Sequence, residues 1–363
     1  MTGDDLAAAY DYALPQSLIA QHPAAVRDGS RLLLLPCAGA LQHRVFADLP
    51  DVLERGDLLV LNDTRVIAAR LRGTREPTGG AVELLLLHPA HTPRYDPRAD
   101  TWVALARPGR RLRADAVIRF GDAGCAVITA ERDDGLREVR FDLDVPFETF
   151  LERAGRLPLP PYIHADDDES QRRYQTIFAR VPGSVAAPTA SLHFTPEVIE
   201  RARARGVELA YVTLDVGLGT FRPMKTPRID EHVMHAEYYA IARETATAIE
   251  RAKREGRRVV AAGTTVVRTL EGCALEHGSV RAGEGSTALF IRPGFDFAVV
   301  DAMITNFHLP QSTLLVLVSA FAGRERVLAA YREAVARSYR FFSFGDAMFV
   351  ERCPAASHRT SAS

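Results

Sequence analysis

Lysine is nearly absent. Lys225 and Lys253 are the only two in 363 residues, so almost all basic charge is arginine. Cysteine is scarce: Cys37, Cys125, Cys273 and Cys353 lie far apart, with no CxxC pair. That excludes a disulfide framework or a zinc ribbon and suits a reducing compartment. Long apolar runs are missing too. The longest, Leu314–Ala322 and Val259–Val267, are well short of the ~20 residues that span a bilayer. Net charge is only −1, so any nucleic-acid site must be a local patch. The first residues, with Asp4 and Asp5, carry no basic, apolar leader. The expectation is a cytoplasmic protein without a secretory signal. There is no internal repeat and no heptad seam, and the default expectation is a monomer.

What is present reads as globular. Hydrophobic residues make up 47% and charged residues 25%, which argues against disorder. The length suggests two domains, or one with an insertion. Arg31–Leu35 looks buried, and Leu58–Asn62 reads as a buried strand closing on turn chemistry. From about 64 to 150 the texture changes. Val82–His88, Trp102–Ala106, Val117–Phe120, Cys125–Glu131 and Leu136–Leu143 are strand-length runs punctuated by Gly, Pro and Asp. This pattern predicts a small antiparallel barrel or sandwich. The proline-stiffened Gly155–Pro161 then marks a boundary.

After Ser184 strands and helices alternate. Thr195 caps a helix that stops at Gly206, and Glu208–Val216 follows as a strand. Glu237–Glu255 is predicted as a helix, Arg258–Ala262 as a strand and Thr264–Glu276 as a helix. Leu289–Ile291 and Ala302–Thr305 are predicted strands, and Thr313–Phe321 and Glu325–Phe341 closing helices. The predicted fold is α/β: a mainly parallel sheet domain formed by both ends of the chain (1–63 and 152–363), with an antiparallel β-barrel inserted at 64–151. Residues 354–363 are expected to be a disordered tail.

In parallel sheets, ligands bind beyond the carboxyl ends of strands. Four such ends here run into polar turns: Asn62-Asp63-Thr64-Arg65, Asp215 to Pro223, Gly263-Thr264-Thr265 with Arg268 behind it, and Asn306 to Pro310. Together they predict a pocket. Gly217-Leu-Gly219 lacks the third glycine of a dinucleotide fingerprint and reads equally as a tight turn. Gly263-Thr264-Thr265 opens a helix and can hold a carboxylate or phosphate, or simply cap the helix. His193, His232, His235 and Glu237 could chelate a metal, but the HExxH arrangement is absent, and substrate-contacting histidines fit better. Arg107, Arg110, Arg111 and Arg113 fall within seven residues around a Pro-Gly turn. They suit phosphate contacts or a solvated loop.

Long ordered runs carry a resemblance. They include Leu18-Ile-Ala-Gln21, Arg27-Asp28, Ser30-Arg31, Asp57 to Arg70, Gly155–Tyr162 and Arg173-Tyr174-Gln175-Thr176. They continue through Gly183–Thr195, Gly217–Pro223, His232–Glu237, Gly263–Glu271, Asp301–Phe321 and Tyr339–Met348. The chain resembles the S-adenosylmethionine:tRNA ribosyltransferase-isomerase family of queuosine biosynthesis. The resemblance implies an α/β domain with an inserted β-barrel. It implies transfer and isomerisation of the ribosyl group of S-adenosylmethionine onto 7-aminomethyl-7-deazaguanine at the tRNA wobble position. Epoxyqueuosine forms, and adenine and methionine leave. S-Adenosylmethionine is then a cosubstrate, with no metal or redox cofactor expected.

Two positions depart from the family pattern: Ser191 stands where glycine is usual, and Asp215 where histidine is usual. A carboxylate of ordinary pKa near 4 serves poorly for proton transfer at neutral pH unless burial raises it. The reaction needs a base, a proton donor for adenine and a dry cleft. The expected acid-base groups are His193, Asp215, His232 and His235. Thr264, Thr265 and Arg268 are expected at the methionine carboxylate or another anionic group. Asp63, Arg65, Asn306 and His308 are expected at nucleoside and ribose, beside Gly217 and Gly219. Arg70, Arg72 and the Arg107–Arg113 run are expected to contact tRNA. A non-catalytic relative that binds tRNA or a nucleoside, and a metal-dependent hydrolase, are the competing readings.

Overall fold

In the computed structural model, residues 3–109, 112–165, 167–217, 224 and 226–353 are described. The first strands are β1 (Arg31–Leu35), β2 (Gln42–Val45) and β3 (Leu58–Asn62), with a single-turn helix α1 (Leu49–Val52) between β2 and β3. A short β4 (Thr64–Val66) leads into β5 (Arg70–Arg75), β6 (Gly80–Pro89), β7 (Thr101–Arg107), β8 (Val117–Arg119), β9 (Cys125–Glu131) and β10 (Leu136–Asp142). Then come α2 (Phe147–Ala154), β11 (Gly155–Arg156), α3 (Asp168–Arg173), β12 (Val181–Ser184), α4 (Pro196–Ala204) and β13 (Glu208–Leu214). The rest is β14 (Glu237–Ile241), α5 (Arg243–Arg254), β15 (Val259–Ala262), α6 (Thr264–His277), β16 (Gly283–Thr287), β17 (Ala302–Asn306), α7 (Thr313–Ala322), α8 (Arg324–Ala336) and β18 (Ala347–Glu351).

The large sheet runs β16-β14-β13-β3-β15-β17-β18-β1-β2. Its centre, β13-β3-β15-β17, is parallel, and β14, β16, β18 and β2 join antiparallel partners around it. Burial on both faces explains why β3 reads as a continuous apolar run. Leu58 and Val60 point into the core under α5 to α8, while Leu59 and Leu61 point into the core under α1 and α4. The barrel closes in the order β5-β6-β7-β10-β9-β8, with β8 returning to β5 and β11 added outside β5. Trp102 stacks on Phe147 of α2 at 4.9 Å and fills the barrel core with Phe150 and Phe141.

Three expectations change. Glu237–Ile241 is a strand rather than the start of a helix. Its residues are buried at every second position, and the helix begins only at Arg243, after the extended Ala242. Leu289–Ile291 is not a strand. Gly283–Thr287 is, because it pairs with β14 where Gly285 has no side chain: a Cβ there would sit 2.8 Å from the Tyr239 ring. The last helix stops at Ala336 instead of Phe341, where Ser338 takes φ of 55°. The tail 354–363 lies outside the described residues.

Candidate active site

The carboxyl ends of the parallel strands open on one edge, and side chains lock their spacing. At the end of β3, Asn62 donates to the Leu214 carbonyl (3.0 Å) and accepts from the backbone N–H of Leu214 (3.1 Å) and Thr64 (3.0 Å). At the end of β12, the buried Ser184 hydroxyl accepts from the Val216 N–H (2.9 Å) and donates to the Ala186 carbonyl (2.6 Å). Both contacts hold the turn after β13 in place.

A cleft of about 610 Å3, its open mouth included, lies against this edge. The turn after β13 supplies Val216, the turn after β15 supplies Gly263, Thr264 and Thr265, and the end of β17 supplies Thr305, Asn306 and His308. The opposite wall is Pro188, Thr189, Tyr162, Phe342 and Ser343. Gly263 has φ of 106°, which an L side chain adopts only with strain, and it turns β15 into the N-terminus of α6. Thr265 Oγ1 is buried with no hydrogen-bond partner among the described residues. A buried hydroxyl without a partner is costly unless a ligand supplies one.

Asp215 sits one residue before the cleft-lining Val216. Its Oδ1 accepts from the Thr64 hydroxyl at 2.8 Å. Its Oδ2 fills the space over Gly183, where a Cβ would lie only 2.5 Å away. Burial, with smaller contributions from Glu237 and Asp63, raises its pKa to about 7, against the Thr64 hydrogen bond. The carboxyl at this position therefore titrates near neutrality rather than in the ordinary carboxylate range. Ser191 is buried and absent from the positive-φ positions, so its side chain brings no backbone strain; its hydroxyl has no partner among the described residues.

The histidines separate. His193 is buried against the Phe46 ring at 5.0 Å, with Nδ1 bonded to Ser30 Oγ (2.7 Å) and Nε2 to Asn306 Nδ2 (3.2 Å). Burial, then the charges of Arg27 and Arg340, push its pKa down to about 3. With both ring nitrogens occupied it holds Asn306, whose Oδ1 accepts from Thr189 Oγ1 (2.8 Å). His308 lines the cleft. Thr305 Oγ1 takes its Nε2 (2.8 Å), its backbone N–H donates to Tyr331 (3.0 Å), and Tyr12 donates to its carbonyl (2.5 Å). Burial lowers its pKa to about 3, so its ring is neutral.

A sequence model of the family described as "Queuosine biosynthesis protein" matches residues 7–350. The chain belongs to the queuosine biosynthesis protein family. It is 52% identical over 347 residues to a Heliobacterium modesticaldum protein named S-adenosylmethionine:tRNA ribosyltransferase-isomerase, covering 94% of this chain and 99% of that one. A protein of that name from Symbiobacterium thermophilum is 53% identical over 344 residues, covering 94% and 98%. Among solved structures, the chain is similar to the S-adenosylmethionine tRNA ribosyltransferase of Thermotoga maritima, with 38% identity, 94% and 99% coverage and a TM-score of 0.54.

Within this queuosine-family fold, several residues expected at the site lie elsewhere. Arg268 is turned away from the cleft into a buried ion pair with Glu237, and its other nitrogens donate to the Leu289 (3.0 Å) and Thr287 (3.4 Å) carbonyls. It is thus not available to a carboxylate in the cleft. Its partner Glu237 also accepts from the Gly217 N–H (2.7 Å), so the pair clamps the turn after β13. Asp63 accepts from Thr213 (2.7 Å) and Arg180 (2.9 Å) in a separate, open depression, and Arg65 is exposed. Neither faces the cleft. His235 is exposed, and His232 packs edge-on against Phe290 at 5.6 Å. With Glu237 committed to Arg268, the His-x-x-His-x-Glu run does not converge on a metal, and no metal-ligating cluster exists among the described residues. Gly219 lies outside the described residues.

The expected RNA-contacting arginines partly converge. Arg70, Arg72 and Arg107 line a groove of about 1300 Å3, its open mouth included, between the barrel and the Pro158–Pro161 segment, with His164 also in the lining. Glu83 pairs with Arg70 (2.9 Å) and Arg72 (3.6 Å) in that groove. Arg113 is exposed and not part of it, and Arg110 and Arg111 lie outside the described residues. Reasoning from strand ends missed Thr189, Tyr162 and Ser343, although each falls in a run that carries the family resemblance. The Tyr162 hydroxyl is 2.6 Å from Ser343 Oγ at the cleft wall. The proline run at 158–161 and the Ser343-Phe-Gly-Asp346 turn were the available signals.

Proposed function

We propose that this chain is an S-adenosylmethionine:tRNA ribosyltransferase-isomerase. It moves and isomerises the donor's ribosyl group onto 7-aminomethyl-7-deazaguanine at the tRNA wobble position, releasing adenine and methionine. The observation that carries the reading is the 52% identity over 94% of this chain to a protein of that name. The cleft at the carboxyl edge of the parallel strands supports it, because it sets a few polar groups in a mainly apolar lining and is built from the turns that bind ligands in such sheets.

In this reading Thr264, Thr265, Asn306 and His308 hold the donor, with Val216 and Phe342 as apolar walls. Asp215 is the acid-base candidate: it precedes the cleft-lining Val216, its carboxyl is set back from the cleft against Thr64 and Gly183, and burial brings it near neutrality, where proton transfer is most efficient. His193 is a positioning residue acting through Asn306. His308 offers a neutral ring, suited to hydrogen bonding rather than to charge. His232 and His235 have no role at the reacting atoms. We infer that the Arg70, Arg72 and Arg107 groove takes the tRNA backbone. We also infer that the chain divides into an α/β unit (1–63 and 152–363) and a barrel unit (64–151), and that it works as a cytoplasmic monomer. The free cysteines agree with a reducing compartment.

The test is incubation of the purified protein with S-adenosylmethionine and tRNA bearing the 7-aminomethyl-7-deazaguanine base. Adenine and methionine are expected in equal amounts, with a mass increase on the tRNA. Absence of adenine release from tRNA shown to carry that base would overturn the reading.

A further inference from the structure

The proposed reaction leaves two arginines unused. Arg27 and Arg173 line a second, smaller pocket of about 280 Å3, its mouth included, with Pro23, Ser30 and His193. Ser343 lines this pocket and the donor cleft alike, so the two cavities adjoin. The hydrogen bonds of both guanidinium groups go to carbonyl oxygens. Arg27 donates to Leu192 (3.0 Å) and Gln175 (2.9 Å), and Arg173 to Ala24 (2.8 Å) and Ala25 (3.4 Å). Among the described residues the one carboxylate paired with either is Glu169, 3.8 Å from Arg173 and 65% exposed. The Nε of Arg173 is buried without a partner among the described residues. Burial and the neighbouring Arg173 charge hold the Arg27 pKa below the usual arginine range. Like charges gathered in a pocket and left uncompensated are costly until an anion joins them.

We propose that this pocket seats a backbone phosphate of the RNA substrate, gripped by Arg27 and Arg173 while the attached base enters the adjoining cleft. The inference rests on the RNA-modifying function proposed above. Paired guanidinium forks match phosphate oxygens. The donor fits poorly here: with its sulfonium, ammonium and carboxylate it carries net charge +1, which two arginines repel. A phosphodiester carries −1 and is attached to the molecule that must reach the cleft.

Fluorescence anisotropy with an anticodon stem-loop RNA, titrated across salt concentrations, tests this on Arg27→Gln, Arg173→Gln and the double variant. Glutamine retains donors for the carbonyls and removes the charge, and a melting curve checks each fold. If Arg27→Gln does not fold, Arg173→Gln, whose carbonyl partners lie in a surface loop, still gives the answer. Each single variant is expected to weaken RNA binding about tenfold. The double variant is expected to lower the salt slope by about 0.9, one phosphate contact. Donor affinity, read by equilibrium dialysis, is expected to stay within about twofold. Wild-type binding with unchanged affinity and slope in folded variants overturns the seat and leaves the function standing. Failure of the wild-type protein to bind the stem-loop overturns both. Loss of donor binding in place of RNA binding reassigns the pocket to the donor and also overturns the seat. So does inorganic phosphate bound tightly by a protein whose RNA affinity the variants do not change, because the pocket then serves a free anion.

Discussion

The cleft at the sheet edge and the arginine groove beside the barrel are built on opposite principles. In the cleft the key polar groups are held in place: the Asn306 side chain by His193, Thr189 and the Phe342 carbonyl, the His308 ring by Thr305 and the His308 backbone by two tyrosines. In the groove Arg70 is 27% and Arg72 60% exposed, and both share Glu83. Preorganised donors in a dry site suit bond making and breaking, where small displacements are expensive. Partly solvated cations suit a polyanion, where contacts are many, interchangeable and salt-dependent. The comparison teaches that one chain divides its polar residues between accuracy and attraction.

The sharpest way to break that contrast is Asp215→Asn. It should lower single-turnover adenine release by about 100-fold or more, with RNA affinity unchanged. It should also stabilise the fold at pH 8, because a carboxyl pushed to about 7 is ionised there at a cost. A rate within tenfold of wild type removes Asp215 from the chemistry. Next comes Arg268→Met, which leaves the buried Glu237 charge without its guanidinium, although the Gly217 N–H still donates to it. It should cost about 3–5 kcal/mol in chemical denaturation. Glu237→Gln with Arg268→Met together should recover part of that loss.

A third test is the pH dependence of stability. His193 and His308 are buried with pKa near 3 against 6.5 when unfolded. The unfolded chain therefore takes up protons that the folded chain refuses, and stability falls as pH drops from about 6.5 towards 3. Asp215 acts in the opposite sense between about 7 and 3.8, where the folded state holds the extra proton. Of these three, two groups act against one, a net loss of about 1.4 kcal/mol per pH unit on acidification, to which the lowered His43 and His232 add and the raised Glu271 is opposed. Urea midpoints from pH 7 to 5 that rise instead of falling would contradict the burial of those rings. In the groove, Arg70→Gln, Arg72→Gln and Arg107→Gln should each reduce the salt slope of tRNA binding by about 0.9 or less, with donor affinity intact. The smallest effect belongs to His235→Ala. Exposed and outside the cleft, it should change kcat/KM by no more than a few-fold.

Much of the framework was readable in the residues. Thr195 caps α4 by accepting from the Val198 N–H at 3.3 Å, as its Thr-Pro-Glu start predicts. The run at Leu58–Asn62 is a central strand, and the polar turns after β3, β13, β15 and β17 do share one edge. Strand β14 was hidden because Glu-Tyr-Tyr-Ala-Ile joins a helical pattern without a break, and its pairing with β16 depends on the missing side chain of Gly285. Arg268 misled for a different reason. Its position one turn into α6 is legible, but the side of the helix it occupies depends on Glu237 waiting across the sheet.

The order of apolar runs and polar turns determined that four strand ends would offer polar groups to one side, because strand direction and right-handed crossovers leave little other choice. Tertiary structure alone decided what each group became. Packing made His193 a strut and left His308 open to the cleft. Burial brought Asp215 from an ordinary carboxyl to one near neutrality. Those outcomes depend on distances between residues more than a hundred positions apart, as from Thr64 to Asp215 and from His193 to Asn306, and no local pattern encodes them.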